Sequence, residues 1–315
     1  RAEIVADIER SFNESINRPD YARKLYLIEN CIYGVDIQPI AIQISKLRFF
    51  ISLVVDQMTN NNPVDNFGIR PLPNLEAKFV AANTLVGLEK REANLFDSEA
   101  IREKEKEMKE AKHRIFGAKT VKTKRKYKER VACLRKEIAS MLSESGSIGN
   151  AEAQQLSSWD MFDQNATSPF FDPAWMFGVN GGFDVVIANP PYVLVQTMTN
   201  ERLKSYYRNK FVVAAYKVDL YHLFIEYGLR ILNTSGVLSY INPSNFLTNQ
   251  YVVKLREMLL NQERVQHIIN IEDNVFFRML MKMYSTKGNS GLSNIDFDDS
   301  EFLNMLTPNQ EKKDA

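Results

Sequence analysis

The short apolar run Phe183–Ala188, which ends on Asn189-Pro190-Pro191-Tyr192, limits the possible folds of this chain more than any other segment. Short apolar runs that are bounded by turn residues are typical of strands buried on both faces. The strand must end at Asn189, because each of the two following prolines fixes φ and lacks a backbone N–H donor. The sequence therefore predicts a buried strand with a stiff turn at its carboxyl end.

The side chains of that turn can hold a flat, amine-bearing ring. Pro190 disfavours the α conformation at Asn189, so the amide is held at the strand tip. An amide oxygen, a proline carbonyl and the flat face of Tyr192 together suit an exocyclic amino group that must be held and methylated. A rigid turn with a surface tyrosine is the alternative, but the position at the end of a predicted strand favours the functional interpretation.

Predicted strands and helices alternate along most of the chain. The predicted strands are Ile32–Asp36, Lys78–Ala82, Phe183–Ala188, Val237–Ile241 and Val265–Ile271. The predicted helices cover residues 1–30, 39–57, 217–232 and 250–261, and Asn233–Gly236 is predicted as a turn. Alternation of this kind implies an α/β fold with a mostly parallel sheet that helices cover on both faces.

Two of these strands end on polar residues, and ligands collect at the carboxyl ends of strands in open α/β sheets. Asp36 closes the first predicted strand, and its carboxylate can accept hydrogen bonds from both hydroxyls of a ribose. An acid that stabilises the dipole of the following helix is the alternative. Asn83 follows the second predicted strand, where an ordinary turn residue is the alternative.

Residues 101–140 are strongly basic, with fifteen Lys or Arg against six Glu, and they contain no proline. This pattern predicts a helical hairpin or a pair of long helices. A basic helix face can contact phosphates, in which case affinity falls with salt, or it can simply be solvated. The candidate phosphate contacts are Lys122, Lys124, Arg125 and Lys126.

Residues 143–182 are predicted as a loop that aromatic side chains fasten to the core. The aromatic candidates are Trp159, Phe170, Phe171 and Trp175. Their alternative role is to line a pocket for a base. Phe246, which follows Asn242-Pro243, is a weaker candidate for a second stacking face.

The composition, with 44% hydrophobic and 25% charged residues, is that of an ordinary soluble globular protein. The net charge of +1 means that any surface for nucleic acid is local. Cys31 and Cys133 lie far apart without metal-ligand spacing, which fits a reducing cytoplasm and no disulfide scaffold. No apolar run approaches the roughly 18 residues of a membrane span, so no membrane association is expected.

Several motifs occur together in the order that one enzyme family uses. They are Ile32–Pro39, Ala82–Leu85, Phe183–Tyr192, Asp219–Glu226 and Gly236–Leu247. On these motifs the chain resembles, over residues 1 to about 275, the bacterial adenine-N6 DNA methyltransferases of fused restriction–modification and phage-defence systems. The resemblance implies a Rossmann-like, S-adenosylmethionine-dependent methyltransferase sheet with a helical insertion, acting in the cytoplasm.

The resemblance also assigns roles on the cofactor side. Asp36 would hold the ribose hydroxyls of S-adenosylmethionine, and Ile37 would pack on its adenine. Asn83 would meet the adenine amino group, at a position where the family more often has Asp.

On the catalytic side, the resemblance assigns the turn Asn189-Pro190-Pro191-Tyr192 to the target base. Asn189 and the Pro190 carbonyl would accept hydrogen bonds from the N6 amine, and Tyr192 would stack on the base. The partner is double-stranded DNA whose target adenine is flipped out of the duplex.

The resemblance divides the chain into four parts. Residues 1–100 form the cofactor side, 101–182 a basic helical insertion with an aromatic loop, 183–283 the catalytic side, and 284–315 a tail or the start of another region. The family's glycine-rich cofactor loop is not found in residues 1–35. We therefore expect an N-terminally truncated chain that lacks the central first strand and binds cofactor weakly or not at all alone. Specificity and endonuclease domains would be fused or separate.

Two alternatives remain open at this point. Methyltransferases that modify a protein glutamine or a guanine amine in RNA also use Asn-Pro-Pro-Tyr, although the long insertion between Asn83 and Asn189 disfavours those compact enzymes. The chain could also be an inactive remnant that binds DNA through residues 101–140.

Overall fold

A computed structural model describes residues 19–69, 75–88, 98–116, 118, 120–214, 217–261, 263–271 and 278–285. Residues 1–18, the first part of the helix predicted over residues 1–30, and the tail beyond residue 285 lie outside these ranges. The chain divides into two compact units, residues 1–178 and 179–315. Of the helices that the structure describes, none has both the length and the apolar character needed to cross a bilayer.

The first unit combines a small parallel sheet with helices. The helices are α1 (Pro19–Asn30), α2 (Pro39–Val55), α3 (Ser98–Phe116), α4 (Val121–Glu144), α5 (Asn150–Ser158) and α6 (Pro173–Phe177). The strands are β1 (Gly34–Asp36) and β2 (Phe79–Ala81), which pair in parallel with Asp36 opposite Ala81. The predicted strand–helix–strand order is therefore confirmed here.

The core beside this sheet is built from one face each of α1 and α2. Tyr21, Ile28, Ile42 and Leu53 are buried there together with Phe79 of β2. Helix α2 begins at Pro39, because proline already has the φ of a first helical turn. Its opposite face is apolar but exposed, and this stripe consists of Ile40, Ile44, Leu47, Ile51 and Val55.

The predicted helical hairpin is confirmed as α3 and α4. Ile115, Leu134 and Ile138 are fully buried in its seam. Part of its positive charge is paired within the hairpin: Lys104 lies 2.7 Å from Glu137, and Arg130 lies 2.6 Å from Glu107.

The prediction of a loop over residues 143–182 is wrong in part, because α5 and α6 lie inside this segment. Each is only a few residues long, so neither shows a clear helical repeat of apolar residues. The four candidate aromatic side chains of the segment are buried in the first unit, as expected. They are Trp159, Phe170, Phe171 and Trp175.

The second unit contains a four-stranded mixed sheet. Its strands are β3 (Phe183–Ala188), β4 (Leu232–Pro243), β5 (Glu263–Ile271) and β6 (Arg278–Ser285), in the order β3-β4-β6-β5. Its helices are α7 (Glu201–Lys210), α8 (Leu220–Arg230) and α9 (Val253–Asn261). Strands β3 and β4 are parallel, whereas β6 is antiparallel to both β4 and β5.

Two of these elements were not predicted, namely α7 and β6, and β6 makes the sheet less parallel than expected. The six residues between β5 and β6 are too few for a crossover connection, which needs a dozen or more, so the pair is antiparallel. Helix α7 was missed because its sequence, Glu-Arg-Leu-Lys-Ser-Tyr-Tyr-Arg-Asn-Lys, is mostly polar.

The predicted turn Asn233–Gly236 lies within β4 as an irregularity of the β3–β4 ladder. Phe183 pairs with Leu232, but Val185 already pairs with Val237. Gly182 makes this close approach possible. Its φ is +82°, and a Cβ there would lie 2.6 Å from the backbone nitrogen of Asn233.

We expect Gly182→Ala to lower the free energy of unfolding by about 2 kcal/mol or more, because alanine is strained at this φ and its methyl group meets backbone atoms. Gly181→Ala is the matched control, since nothing lies within 4 Å of a Cβ at that position. The control should stay within about 0.5 kcal/mol of the wild type. Urea denaturation monitored by circular dichroism measures both. Equal midpoints for the two variants would contradict this account.

Candidate active site

The turn Asn189–Tyr192 follows β3 directly, as predicted, and it is tied to the neighbouring strand. The prediction that β3 is buried on both faces is wrong, because β3 lies at the edge of its sheet and leaves Val185 and Ile187 exposed. The Tyr192 hydroxyl lies 2.6 Å from Asn189 Oδ1 and 3.1 Å from the Ile241 carbonyl oxygen, with its single hydrogen donated toward these acceptors. Asn189 is exposed, while Pro190 is buried. The turn therefore presents its amide to solvent in an orientation that Tyr192 fixes.

The chain beyond the turn is held in place by backbone hydrogen bonds. The Val195 N–H donates to the Val218 carbonyl at 2.9 Å, and the Leu220 N–H donates to the Val193 carbonyl at 2.8 Å. These bonds place the start of α8 beside the turn. As a result, the first residues of α8 pack against Tyr192.

Tyr221 is the residue of α8 that supports Tyr192. It is fully buried, and the two rings meet edge to face with centroids 6.0 Å apart and planes at 90°. Its hydroxyl donates to Asn245 Oδ1 at 2.5 Å, and burial raises the pKa of Tyr221 well above its usual value. No local pattern in the sequence indicates that Tyr221 supports the turn.

The candidate role of Phe246 as a second stacking face is not supported by this structure. Its side chain is only 1% exposed, and its ring packs against Tyr221 at 6.4 Å between centroids. Phe246 lies in the short 3₁₀ turn after β4, which carries it into the core of the second unit. No face of the ring is open to a base.

Two buried side chains near the turn have polar atoms without partners in the part of the chain that the structure describes. These atoms are both amide atoms of Asn242, next to Ile241, and Nε2 of His222, next to Tyr221. A buried polar atom without a partner costs about 1–3 kcal/mol of stability. Native proteins tolerate few such atoms, and three of those in the described part of the chain lie behind the turn.

The predicted cofactor residues lie in the first unit, at the carboxyl ends of β1 and β2. Asp36 is exposed, and one of its oxygens accepts a hydrogen bond from the Gln38 N–H at 2.7 Å. Ile37, next along the chain, is exposed. Asn83 is two residues beyond Ala81, the partner of Asp36 in the ladder. The structure therefore brings the three residues to one edge of this sheet.

This edge has the chemistry that a ribose and an adenine require. The second Asp36 oxygen and the half-buried Asn83 amide supply polar groups, and Ile37 supplies an apolar surface. Residues 167–168, which were not predicted, complete the edge. Ser168 bridges to Ala82 beside β2, and the Thr167 hydroxyl donates to the Ile37 carbonyl at 3.3 Å.

The four basic candidates on α4 fall into two classes. Lys124 lies 3.1 Å from Glu76, and Arg125 lies 2.8 Å from Glu129, so their charges are already paired. Lys122 and Lys126 are exposed on the same helix. Within the described residues, neither of these two lysines has a carboxylate within ion-pair distance. The exposed basic face is therefore smaller than the sequence suggested.

A comparison with protein families matches residues 30–277 to the Eco57I restriction-modification methylase family. The matched segment contains both the strand-end residues of the first unit and the turn of the second.

Three similar proteins show the same relationship. The type II methyltransferase M.BstVI of Geobacillus stearothermophilus is 34% identical over 28% of this chain. The type II restriction enzyme and methyltransferase RM.Eco57I of Escherichia coli is 34% identical over 31%, and RM.MjaORFECS2P of Methanocaldococcus jannaschii is 24% identical over 81%. The chain covers 16%, 10% and 25% of these three proteins, respectively.

A solved class I S-adenosylmethionine-dependent methyltransferase from Listeria monocytogenes overlaps 57% of this chain and 62% of its own. The identity is 12% and the TM-score 0.31.

The buried His222 predicts a dependence of stability on pH. Its Nδ1 accepts a hydrogen bond from the Asp219 N–H at 3.0 Å, and burial lowers the pKa of His222 to about 3. In the unfolded chain a histidine has a pKa of about 6.5. Between these values only the unfolded state binds the proton, so the free energy of unfolding falls as the pH drops below about 6.5.

We expect this residue to contribute a slope of up to about 1.4 kcal/mol per pH unit on the acid side. His222→Asn, which keeps an acceptor, should remove that contribution in urea titrations between pH 7.5 and 5. His113→Asn is the control, because that imidazole is exposed. If His222→Asn and wild type have the same slope, the imidazole is not buried in its neutral form.

Proposed function

Because the chain belongs to the Eco57I restriction-modification methylase family, we propose that it carries the methyl-transfer part of a DNA methyltransferase that acts on adenine N6. The observation that carries this proposal is the turn after β3, where Tyr192 fixes the exposed Asn189 amide. S-adenosylmethionine is the methyl donor of this family. When bound, it would supply a methyl group on a positively charged sulfur. The amine nitrogen would form the new N–C bond as the C–S bond breaks and the neutral thioether leaves, and the methylated amine would then lose one proton to solvent.

In this proposal the protein works by orienting the amine. Asn189 Oδ1 and the Pro190 carbonyl accept the two hydrogens of the N6 amino group, and this directs the nitrogen lone pair at the methyl group. Positioning and fixed dipoles then provide most of the rate enhancement, and no base is needed before transfer. Tyr192 stacks on the flipped adenine, whose extrusion from the duplex costs a few kcal/mol.

The cofactor side of the proposal rests on the edge formed by Asp36, Ile37 and Asn83. Asp36 has one oxygen occupied by the Gln38 N–H, which leaves the other for a ribose hydroxyl. Asn83 can meet the adenine amino group through its amide oxygen. Residues 1–100 and 183–283 are thus proposed as the cofactor and catalytic sides, with 101–182 as the insertion and 284–315 as a following region.

The proposed partner is double-stranded DNA, together with specificity and endonuclease functions that are fused or separate. RM.Eco57I is a type II restriction enzyme and methyltransferase in one protein. This chain covers a tenth of that protein, so the activity and partners of the complete protein to which this chain belongs are proposed only. Lys122 and Lys126 are the proposed phosphate contacts on α4.

We expect Asn189→Ala to lower methyl transfer to DNA by about 100-fold or more, by analogy with the loss of one fixed polar group in other active sites. Tyr192→Phe keeps the stacking ring but releases the amide, so a loss of about tenfold is expected. Asn180→Ala, an exposed asparagine outside the turn, is the control. The assay uses tritiated S-adenosylmethionine and the full-length protein, with DNA, RNA and protein as separate substrates.

Transfer to RNA or protein but not to DNA would replace the substrate in this proposal. Wild-type protein that transfers to none of the three, yet still binds DNA, would indicate an inactive remnant. If Asn189→Ala is as active as the control, the turn is not the active site.

Reversal of the exposed charges, Lys122→Glu with Lys126→Glu, should weaken DNA binding. If each lysine contacts one phosphate, the slope of log K against log salt should fall by about 2 in magnitude. The matched control is Arg102→Glu with Lys106→Glu, two exposed residues on α3. Fluorescence anisotropy at several salt concentrations measures both. An equal slope in the two variants would assign α4 to the solvated surface.

A further inference from the structure

A cavity lies in the first unit, at the opposite edge of the β1–β2 sheet from Asp36 and Asn83. Its volume is about 260 Å³. Tyr33 and Lys78, which immediately precede β1 and β2, lie on one side, and residues of α3 lie on the other. The Gly34 N–H donates to the Lys78 carbonyl at 2.9 Å, which fixes the two strand starts side by side.

The walls of this cavity are strongly basic. Lys78, Lys109 and Lys112 line it, with His113, and Glu29 is the only carboxylate among its described lining residues. Glu29 lies 3.9 Å from His113 Nε2, so its charge is directed in part toward the histidine. Three lysines and one carboxylate therefore line the cavity.

Lys112 is the most deeply placed of the three lysines. Its side chain is buried, and its Nζ donates to the carbonyls of Trp175 at 2.8 Å and Met176 at 3.1 Å. An ammonium group has three hydrogens, and the third has no acceptor in the described part of the chain. Burial lowers the pKa of Lys112 to about 7, so a neighbouring anion would favour its charged form.

Lys78 lies over an aromatic wall. Its Nζ is 4.1 Å from the centroid of the Tyr33 ring, which in turn lies 4.9 Å from the ring of Phe177. Burial lowers the pKa of Lys78 to about 8. Lys109 is exposed and lies on α3 three residues before Lys112, so the two lysines lie on the same side of the helix. The cavity thus has two desolvated lysines inside and one at its surface.

We propose that this cavity binds a small phosphate-bearing anion, with the phosphate among Lys78, Lys109 and Lys112 and any attached flat group against Tyr33. Three ammonium groups from two elements suit the several oxygens of a phosphate better than a single carboxylate, and lysine binds phosphate as a point charge. The site is independent of the proposed methyl transfer, since none of its residues belongs to the strand-end edge or to the turn after β3.

The test is a titration of the full chain with inorganic phosphate, adenosine monophosphate and a short single-stranded oligonucleotide, each at constant ionic strength. Calorimetry and thermal denaturation are the readouts, because a ligand of the folded state raises the melting temperature. We expect Lys78→Met to weaken phosphate binding by about tenfold and Lys109→Met by a few-fold. Glu29→Gln should tighten it, an effect that a purely structural role would not produce.

Lys106→Met is the matched control, because Lys106 is an exposed lysine of α3 outside the cavity. Equal binding of phosphate and the monophosphate supports a site for the phosphate group itself. Tighter binding of the oligonucleotide, lost in Lys109→Met, supports a nucleic-acid phosphate as its source.

Two outcomes would overturn the proposal. One is that none of the three ligands binds. The other is that Lys106→Met weakens binding as much as Lys109→Met, which would indicate a general salt effect. If Lys78→Met does not fold, the binding of phosphate to the Lys109→Met and Glu29→Gln variants tests the proposal instead.

Discussion

The parallel pairing of β3 with β4 is the interaction on which the candidate active site depends. It sets Ala188 opposite Tyr240, so the turn after β3 begins where β4 reaches Ile241. Only this register puts the Ile241 carbonyl within reach of the Tyr192 hydroxyl. The ladder in turn requires the irregularity at Asn233–Gly236 and a glycine at 182, since a side chain there would meet the backbone. A local backbone constraint therefore determines where the amide of Asn189 points.

The first unit uses parallel pairing in the same way, but it separates two kinds of chemistry. The carboxyl ends of β1 and β2 present a carboxylate and an amide, which suit hydroxyl and amino groups. The amino ends of the same strands carry the lysine-lined cavity, which suits an anion. Because parallel strands direct all their carboxyl ends to one edge, the two chemistries cannot mix within this sheet.

Much of the fold could be predicted from the sequence because its strands end on recognisable residues. The runs before Asp36, Asn83 and Asn189 are short and apolar, and each stops at a polar residue or a proline. The sequence did not show which strands and side chains contact each other within the fold. Strand β6 forms because it pairs antiparallel with β4 and β5, and its own composition does not indicate this pairing. The burial of Phe246 depends on where β4 ends. Lys124 and Glu76, which form an ion pair, are 48 positions apart in the sequence, so no local sequence pattern predicts their contact.

In the proposed methyl transfer, the hydrogen bond between Tyr192 and Asn189 has a consequence for selectivity. In the absence of a base, the amide oxygen already holds a hydroxyl hydrogen at 2.6 Å between the heavy atoms. An incoming amino group must share or replace that hydrogen, so the exchange adds little net binding free energy. A base without an amino group has no hydrogen to donate to Asn189 Oδ1, so this oxygen keeps its hydrogen bond from the Tyr192 hydroxyl. The turn would then align the correct base for reaction without increasing its binding affinity. An incorrect base could stack there without being aligned for reaction.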